Sequence, residues 1–159
     1  MPELPEVEFL VRYLNSLVSG KIIGEVTVHR AKSVRPVSAS RMRRIVEGAK
    51  IIGLRRRAKY LLFELKKGQG DPFLMLGHLG MTGRMYVQPV NKALPKHAAV
   101  SFQLGRGVFI FEDTRYFGRL TLDTTSLDSL GPEPLSSDFS GNILHAALSR
   151  CKQEIKPKL

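Results

Sequence analysis

The sequence predicts an α+β, mainly β fold: eight short antiparallel strands in a sandwich or barrel, flanked by an N-terminal helix and a short second helix. A partial helical segment follows at the C-terminal end. Three observations lead there. Apolar residues recur at helical spacing from residue 5 to 19, the period drops to two after Gly20, and the composition turns to Ser, Thr, Asp, Gly and Pro near 124–138. That last stretch reads as a linker, dividing the chain into a domain over 1–125 and a second segment over 126–159.

In the first helix Val7, Leu10, Val11, Leu14, Leu17 and Val18 fall on one face. Pro5 suits a first turn, Glu6 and Glu8 complement the positive end of the helix dipole, and Gly20 supplies a stop. The residues before Pro5 are therefore a short arm fixed at the start of a buried helix. Strands are expected near 21–29, 50–57, 59–65, 73–79, 84–88, 98–104, 108–113 and 118–123, each rich in Val, Ile, Leu or Phe and bounded by Gly, Pro or Asp. Met42, Ile45 and Val46, with Gly48 behind them, predict a short helix covering an edge. Ser140 caps a further helix expected over 141–150, with Ile143, Leu144, Ala147 and Leu148 on its buried side. The chain stops at Leu159 just after another helical start, so the second domain is expected to be truncated.

A chain of 159 residues with 43% apolar residues suits a globular protein rather than a disordered one. No apolar run approaches the roughly 20 residues that span a bilayer, and the acidic start (Glu3, Glu6, Glu8) is unlike a signal peptide. The single cysteine, Cys151, excludes an internal disulfide and a cysteine-rich zinc site, and reads as an ordinary small helix residue. The net charge is +11, and it is concentrated. Fourteen Lys or Arg stand against three acids between Lys21 and Lys67, while the remainder of the chain is balanced. Such a block points to a polyanionic partner, whose phosphates release counterions to lysine and arginine. A solvated basic face is the plain alternative. Membrane headgroups fit less well, because the block has no basic amphipathic helix with a bulky apolar face.

The opening MPELPEVE, followed in order by RRRAKYLL (55–62), HLGMTG (78–83), DTRYFG (113–118), LGPEPL (130–135) and IKP (155–157), resembles the formamidopyrimidine-DNA glycosylases, which are related to endonuclease VIII. The resemblance runs along the whole chain. It implies an eight-stranded β-sandwich domain followed by the start of a helix–two-turn–helix domain, and base-excision repair as the activity. The expected reaction is removal of oxidised purines such as 8-oxoguanine and formamidopyrimidines, followed by cleavage of the abasic site by β,δ-elimination.

That chemistry accounts for the N-terminus. A glycosylase with lyase activity needs an amine to attack C1′ and form a Schiff base. With Met1 removed, Pro2 is a terminal secondary amine, and an α-amine has an unperturbed pKa of about 7.7–8.0, so a neutral fraction exists near pH 7. With Met1 attached, the Pro2 nitrogen is an amide and cannot react. The resemblance makes Glu3 the general acid/base that protonates the sugar oxygen, Glu6 an assisting residue one turn on, and Lys59 the lysine that grips phosphate beside the lesion. Glu3 and Glu6 also suit simple charge stabilisation of a helix start, and Lys59 suits a strand surface.

Holding a nucleotide out of a duplex leaves a gap to be filled. By resemblance Met81, Arg115 and Phe117 fill it, Lys156 lies near the DNA and His78 contacts the backbone, though a lone histidine equally suits a hydrogen-bonded structural role; Arg57 with its neighbours Arg55 and Arg56 adds phosphate affinity. A strand alternates faces, so only part of that arginine run can meet DNA. The expected partner is double-stranded DNA with an oxidised base or abasic site, met by a monomer in the cytoplasm, beside the nucleoid in a bacterium. No cofactor is expected in this chain, because the family's four-cysteine zinc finger and its GNIYA-type loop are not in the sequence. A longer protein of the family is expected to bind one zinc. Tyr116 replaces a common basic residue, and KHAAV (96–100) lacks a second histidine often found there. The alternatives are a catalytically silent fragment that recognises damaged or abasic DNA through its basic block, and a sandwich that binds some other acidic partner.

Overall fold

The computed structural model describes residues 2–149 and has two four-stranded antiparallel sheets. The elements are α1 (Leu4–Val18), β1 (Val26–Val28), a 3-10 turn (Ala31–Val34), α2 (Ala39–Val46), β2 (Lys50–Arg57), β3 (Tyr60–Lys66), β4 (Phe73–His78), β5 (Arg84–Pro89), β6 (Ala98–Leu104), β7 (Gly107–Glu112), β8 (Arg119–Thr121), a 3-10 turn (Thr125–Leu127) and α3 (Gly141–Leu148). One sheet has the order β1-β6-β7-β5 and the other β2-β3-β4-β8. The fold is thus mainly β, with the expected sandwich of eight strands. The backbone divides into two compact units, Met1–Asp128 and Ser129–Leu159.

Alternation of buried positions fixes the strand faces. Leu61, Phe63 and Leu65 of β3 and Met75 of β4 lie between the sheets, opposite Phe102 of β6 and Phe109 and Phe111 of β7. Phe63 meets Phe109 edge-on at 5.6 Å across the two layers, and Phe102 stacks on Phe109 at 5.2 Å. Each ring buried this way is worth about 1.5–3 kcal/mol.

The helix α1 buries Val7, Val11, Leu14 and Val18. It lies against β2, an edge strand whose outward N–H groups would otherwise be open. Asn15 answers one of them, its Oδ1 accepting from the Leu54 N–H at 2.8 Å. At the same junction Glu8 accepts from Arg56 Nε at 2.7 Å, and Arg56 is almost fully buried. The guanidinium of Arg56, then that of Arg12, holds the Glu8 carboxyl below its usual range.

The first expected strand is split. Ile22 bridges Lys50 at the edge of one sheet, while Val26–Val28 pairs with β6 in the other. Between them Gly24 passes so close to Gln103 that a side chain there would crowd it at 3.3 Å. The segment 21–29 therefore changes sheets rather than forming one strand. The strand expected over 118–123 is confined to Arg119–Thr121. In α3 none of the four residues expected on a buried side is buried, and Ala147 is exposed. A short helix in a unit of this size has little apolar area to pack on.

Candidate active site and nucleic-acid interface

The N-terminal arm ends in a reciprocal cap. Glu3 is the N-cap of α1, its carboxylate accepting from the Glu6 N–H while the Glu6 carboxylate accepts from the Glu3 N–H. This fixes the backbone next to Pro2, which is half-buried. The Glu3 carboxylate also takes an ion pair from Lys59, Nζ to Oε2 at 2.6 Å. Glu3 and Glu6 thus form a helix cap whose Glu3 carboxylate, on the residue after Pro2, also pairs with Lys59.

Lys59 reaches Glu3 from a tight hairpin. Arg57 pairs with Tyr60, so Ala58 and Lys59 alone form the turn between β2 and β3. Ala58 carries the positive φ (50°) that such a turn needs, a conformation costing a non-glycine residue on the order of 1 kcal/mol. The same register sorts the arginine run. Arg55 and Arg57 share a face with Tyr60 and Leu62, whereas Arg56 faces the other way and is consumed by Glu8. Arg56 is therefore a structural anchor, and the reading of it as a phosphate contact is corrected by its burial.

His78 lies one strand further, paired with Tyr60 on one side and Arg119 on the other. Its ring packs on Tyr60 with centroids 5.0 Å apart. The Gly80 N–H donates to Nδ1 at 3.2 Å, which leaves the proton of the neutral ring on Nε2. Burial, then the charges of Lys59 and Arg119, push the His78 pKa below its ordinary value. Near pH 7 this histidine is a neutral N–H donor among cations. A cavity of about 220 Å³ beside it has Arg35, Tyr60, His78, Arg119 and Asp123 in its lining.

From His78 the chain turns into the loop 79–83, which lies against the loop 113–118. A Cβ on Gly80 would stand 2.7 Å from the Gly118 nitrogen, and one on Gly118 would stand 2.9 Å from the His78 carbonyl. Only glycine permits such backbone contact. The exposed side chains of Met81 and Phe117 leave these loops beside Arg115, whose Nη1 donates to the Met81 sulfur at 3.4 Å. The three residues expected to fill a gap in a duplex therefore come from two touching loops. Asp113, which the motif contains but which carried no assigned role, is fully buried and binds both loops. It accepts from the Thr82 hydroxyl at 2.6 Å and from the N–H groups of Gly118 and Arg115 at 2.7 and 3.1 Å. Burial alone would raise its carboxyl; the Thr82 hydroxyl and the N–H groups of Gly118, Arg115 and Phe117 outweigh that and hold it below its usual value.

Tyr116, where a basic residue was expected, adopts a positive φ of 55°. Its hydroxyl meets His97 Nδ1 at 3.2 Å and Arg30 lies over its ring at 5.0 Å. Lys156 lies outside the described residues. Among the described residues no group of three His, Cys, Asp or Glu side chains is placed to hold a metal ion. No helix among them is long and apolar enough to cross a membrane.

The sequence and the fold agree on ancestry. The family model for the formamidopyrimidine-DNA glycosylase N-terminal domain matches residues 1–120. The chain belongs to the formamidopyrimidine-DNA glycosylase family. The formamidopyrimidine-DNA glycosylase of Carboxydothermus hydrogenoformans is 35% identical over all of this chain and 58% of its own length. That of Alcanivorax borkumensis is 40% identical over 98% of this chain and 58% of its own. The Lactococcus lactis glycosylase solved with DNA containing an abasic site superposes with a TM-score of 0.86 at 29% identity, covering 98% of this chain and 59% of that one. A mutant of the same enzyme with DNA containing formamidopyrimidine-deoxyguanosine gives 0.87 at 30%, over 98% and 58%. The chain thus spans under two thirds of the length of these relatives.

Proposed function

We propose that this chain carries the catalytic domain of a base-excision DNA glycosylase that removes oxidised purines and then cuts the abasic site by β,δ-elimination. The carrying observation is the Glu3 carboxylate, held beside Pro2 by its reciprocal cap with Glu6 and by the 2.6 Å pair with Lys59. With Met1 removed, the neutral Pro2 nitrogen attacks C1′ and the base departs with the glycosidic electron pair, taking a proton from water. Glu3 then takes the proton from the nitrogen and passes it to O4′ as the C1′–O4′ bond opens to the iminium. The iminium acidifies C2′–H, so elimination of the 3′ phosphate and then of the 5′ phosphate follows. Lys59 positions Glu3 in this scheme, and Met81, Arg115 and Phe117 occupy the gap left by the extruded nucleotide. The partner is duplex DNA with an oxidised base or an abasic site.

The test is a duplex with a single 8-oxoguanine, incubated with the chain beginning at Pro2. Free 8-oxoguanine and a one-nucleotide gap with phosphate on both ends are the expected products. Intact substrate throughout would remove the glycosylase reading. A second reading has its own support in the basic block: the chain alone recognises abasic DNA without reacting. It predicts tight binding that is indifferent to blocking the Pro2 amine.

A further inference from the structure

We propose that Asp113 is a positioning residue that locks the loop 79–83 to the loop 113–118, so that Met81, Arg115 and Phe117 enter a duplex as one rigid unit. The inference rests on the DNA-repair reading above.

Both carboxylate oxygens of Asp113 are committed. Oδ1 takes the Thr82 hydroxyl and the Arg115 N–H, while Oδ2 takes the Gly118 N–H. Thr82 is itself a bridge, since its Oγ also accepts from the Arg115 N–H at 3.3 Å. Among the described residues no Lys or Arg pairs with Asp113. A fully buried carboxylate satisfied only by a hydroxyl and backbone N–H groups is a costly arrangement for a protein core. Its use here follows from what it holds. Met81 is 46% exposed and Phe117 is 55% exposed, so neither side chain is directed by packing. Their aim is set by the main chain to which they are attached, and that main chain is fastened by Asp113 and by the close backbone approach at Gly80 and Gly118. Thr82 follows Met81 directly, while Arg115 and Gly118 flank Phe117, so each tie acts within one or two residues of an inserting side chain.

The test compares the chain beginning at Pro2 with its Asp113→Asn, Thr82→Val and Thr82→Ser variants. Dissociation constants are measured for a duplex carrying a tetrahydrofuran abasic analogue and for the same duplex intact, with melting temperatures alongside. Losing hydrogen bonds to a charged group should lower the preference for the abasic duplex on the order of tenfold in Asp113→Asn and Thr82→Val. Binding to intact duplex should stay within about twofold, because phosphate contacts carry it, and Thr82→Ser should restore the preference. Preference retained in both variants, or lost in equal proportion from both duplexes, overturns the inference. A parent chain with no preference for the abasic duplex removes the repair reading, and the inference falls with it. Thr82→Val leaves the buried carboxylate in place, so it decides the matter if Asp113→Asn does not fold.

Discussion

The two ends of the site are held by opposite means. Beside Pro2, a carboxylate that is 59% exposed is fixed by a helix cap and an ion pair with a partly exposed lysine. In the loops carrying Met81, Arg115 and Phe117, a fully buried carboxylate does the fixing through a hydroxyl and main-chain N–H groups. The first is soft, wet and screened by salt; the second is stiff and dry. The difference fits the two tasks proposed above. An acid/base group has to exchange protons with a substrate and with water, whereas an inserting side chain has to resist the restacking of a duplex. Mutations at the two carboxylates should therefore separate chemistry from stability.

The largest expected effect is on rate. Glu3→Gln should slow Schiff-base formation at an abasic site by about 10²-fold or more, the range for a lost general acid/base. Its unfolding free energy should change by no more than about 1 kcal/mol, the size of a helix cap. Single-turnover trapping and urea denaturation on the same variant check both parts. Asp113→Asn should show the reverse stability pattern, losing about 1–3 kcal/mol in urea for a disrupted buried hydrogen-bond set.

Next comes the arginine run. Arg56→Met should cost about 1.5–3 kcal/mol, since it strips Glu8 of a buried partner. Arg55→Met, at an exposed side chain, should cost less than about 0.5 kcal/mol. If Arg55 meets a phosphate, that variant should reduce the slope of log K against log salt by about one. Equal stability losses in the two variants would contradict the assignment of Arg56 as the anchor.

The smallest effects are in pH dependence. Asp113 has a depressed folded pKa, so its contribution is present above the unfolded value of about 3.9 and is lost as pH falls through the lower folded value. His78 is depressed as well, so the neutral ring favours the folded chain above an unfolded value of about 6.5, and that advantage fades as pH falls towards the folded value. His78→Asn should flatten the stability profile on the acid side of pH 6.5 and leave it unchanged near pH 8.

Much of this was legible in the residues. The helical face of Val7, Val11, Leu14 and Val18 and the alternation in the strands gave the sandwich, because burial enforces periodicity. The sheet change at Gly24 was not legible, since a segment that pairs first with one sheet and then with the other keeps the composition of a single strand. Glu3, Lys59, Met81, Arg115 and Phe117 were named from motifs, and the fold brings Glu3 to Lys59 and Met81 to Arg115. Asp113 and Thr82 were inside quoted motifs and carried no role, because what they do depends on a contact between segments 31 residues apart. Which arginine of the run turns inward was not legible for a related reason. The neighbours of Arg56 are arginines too, and only the strand register and the approach of α1 tell them apart.

The most direct test of the central claim is borohydride trapping on a duplex containing an abasic site, with the adduct located by peptide mass. A covalent DNA adduct on the Pro2 nitrogen is expected when the chain begins at Pro2, and none when Met1 is retained. An adduct on Lys59, or one that forms equally well with Met1 in place, would contradict it.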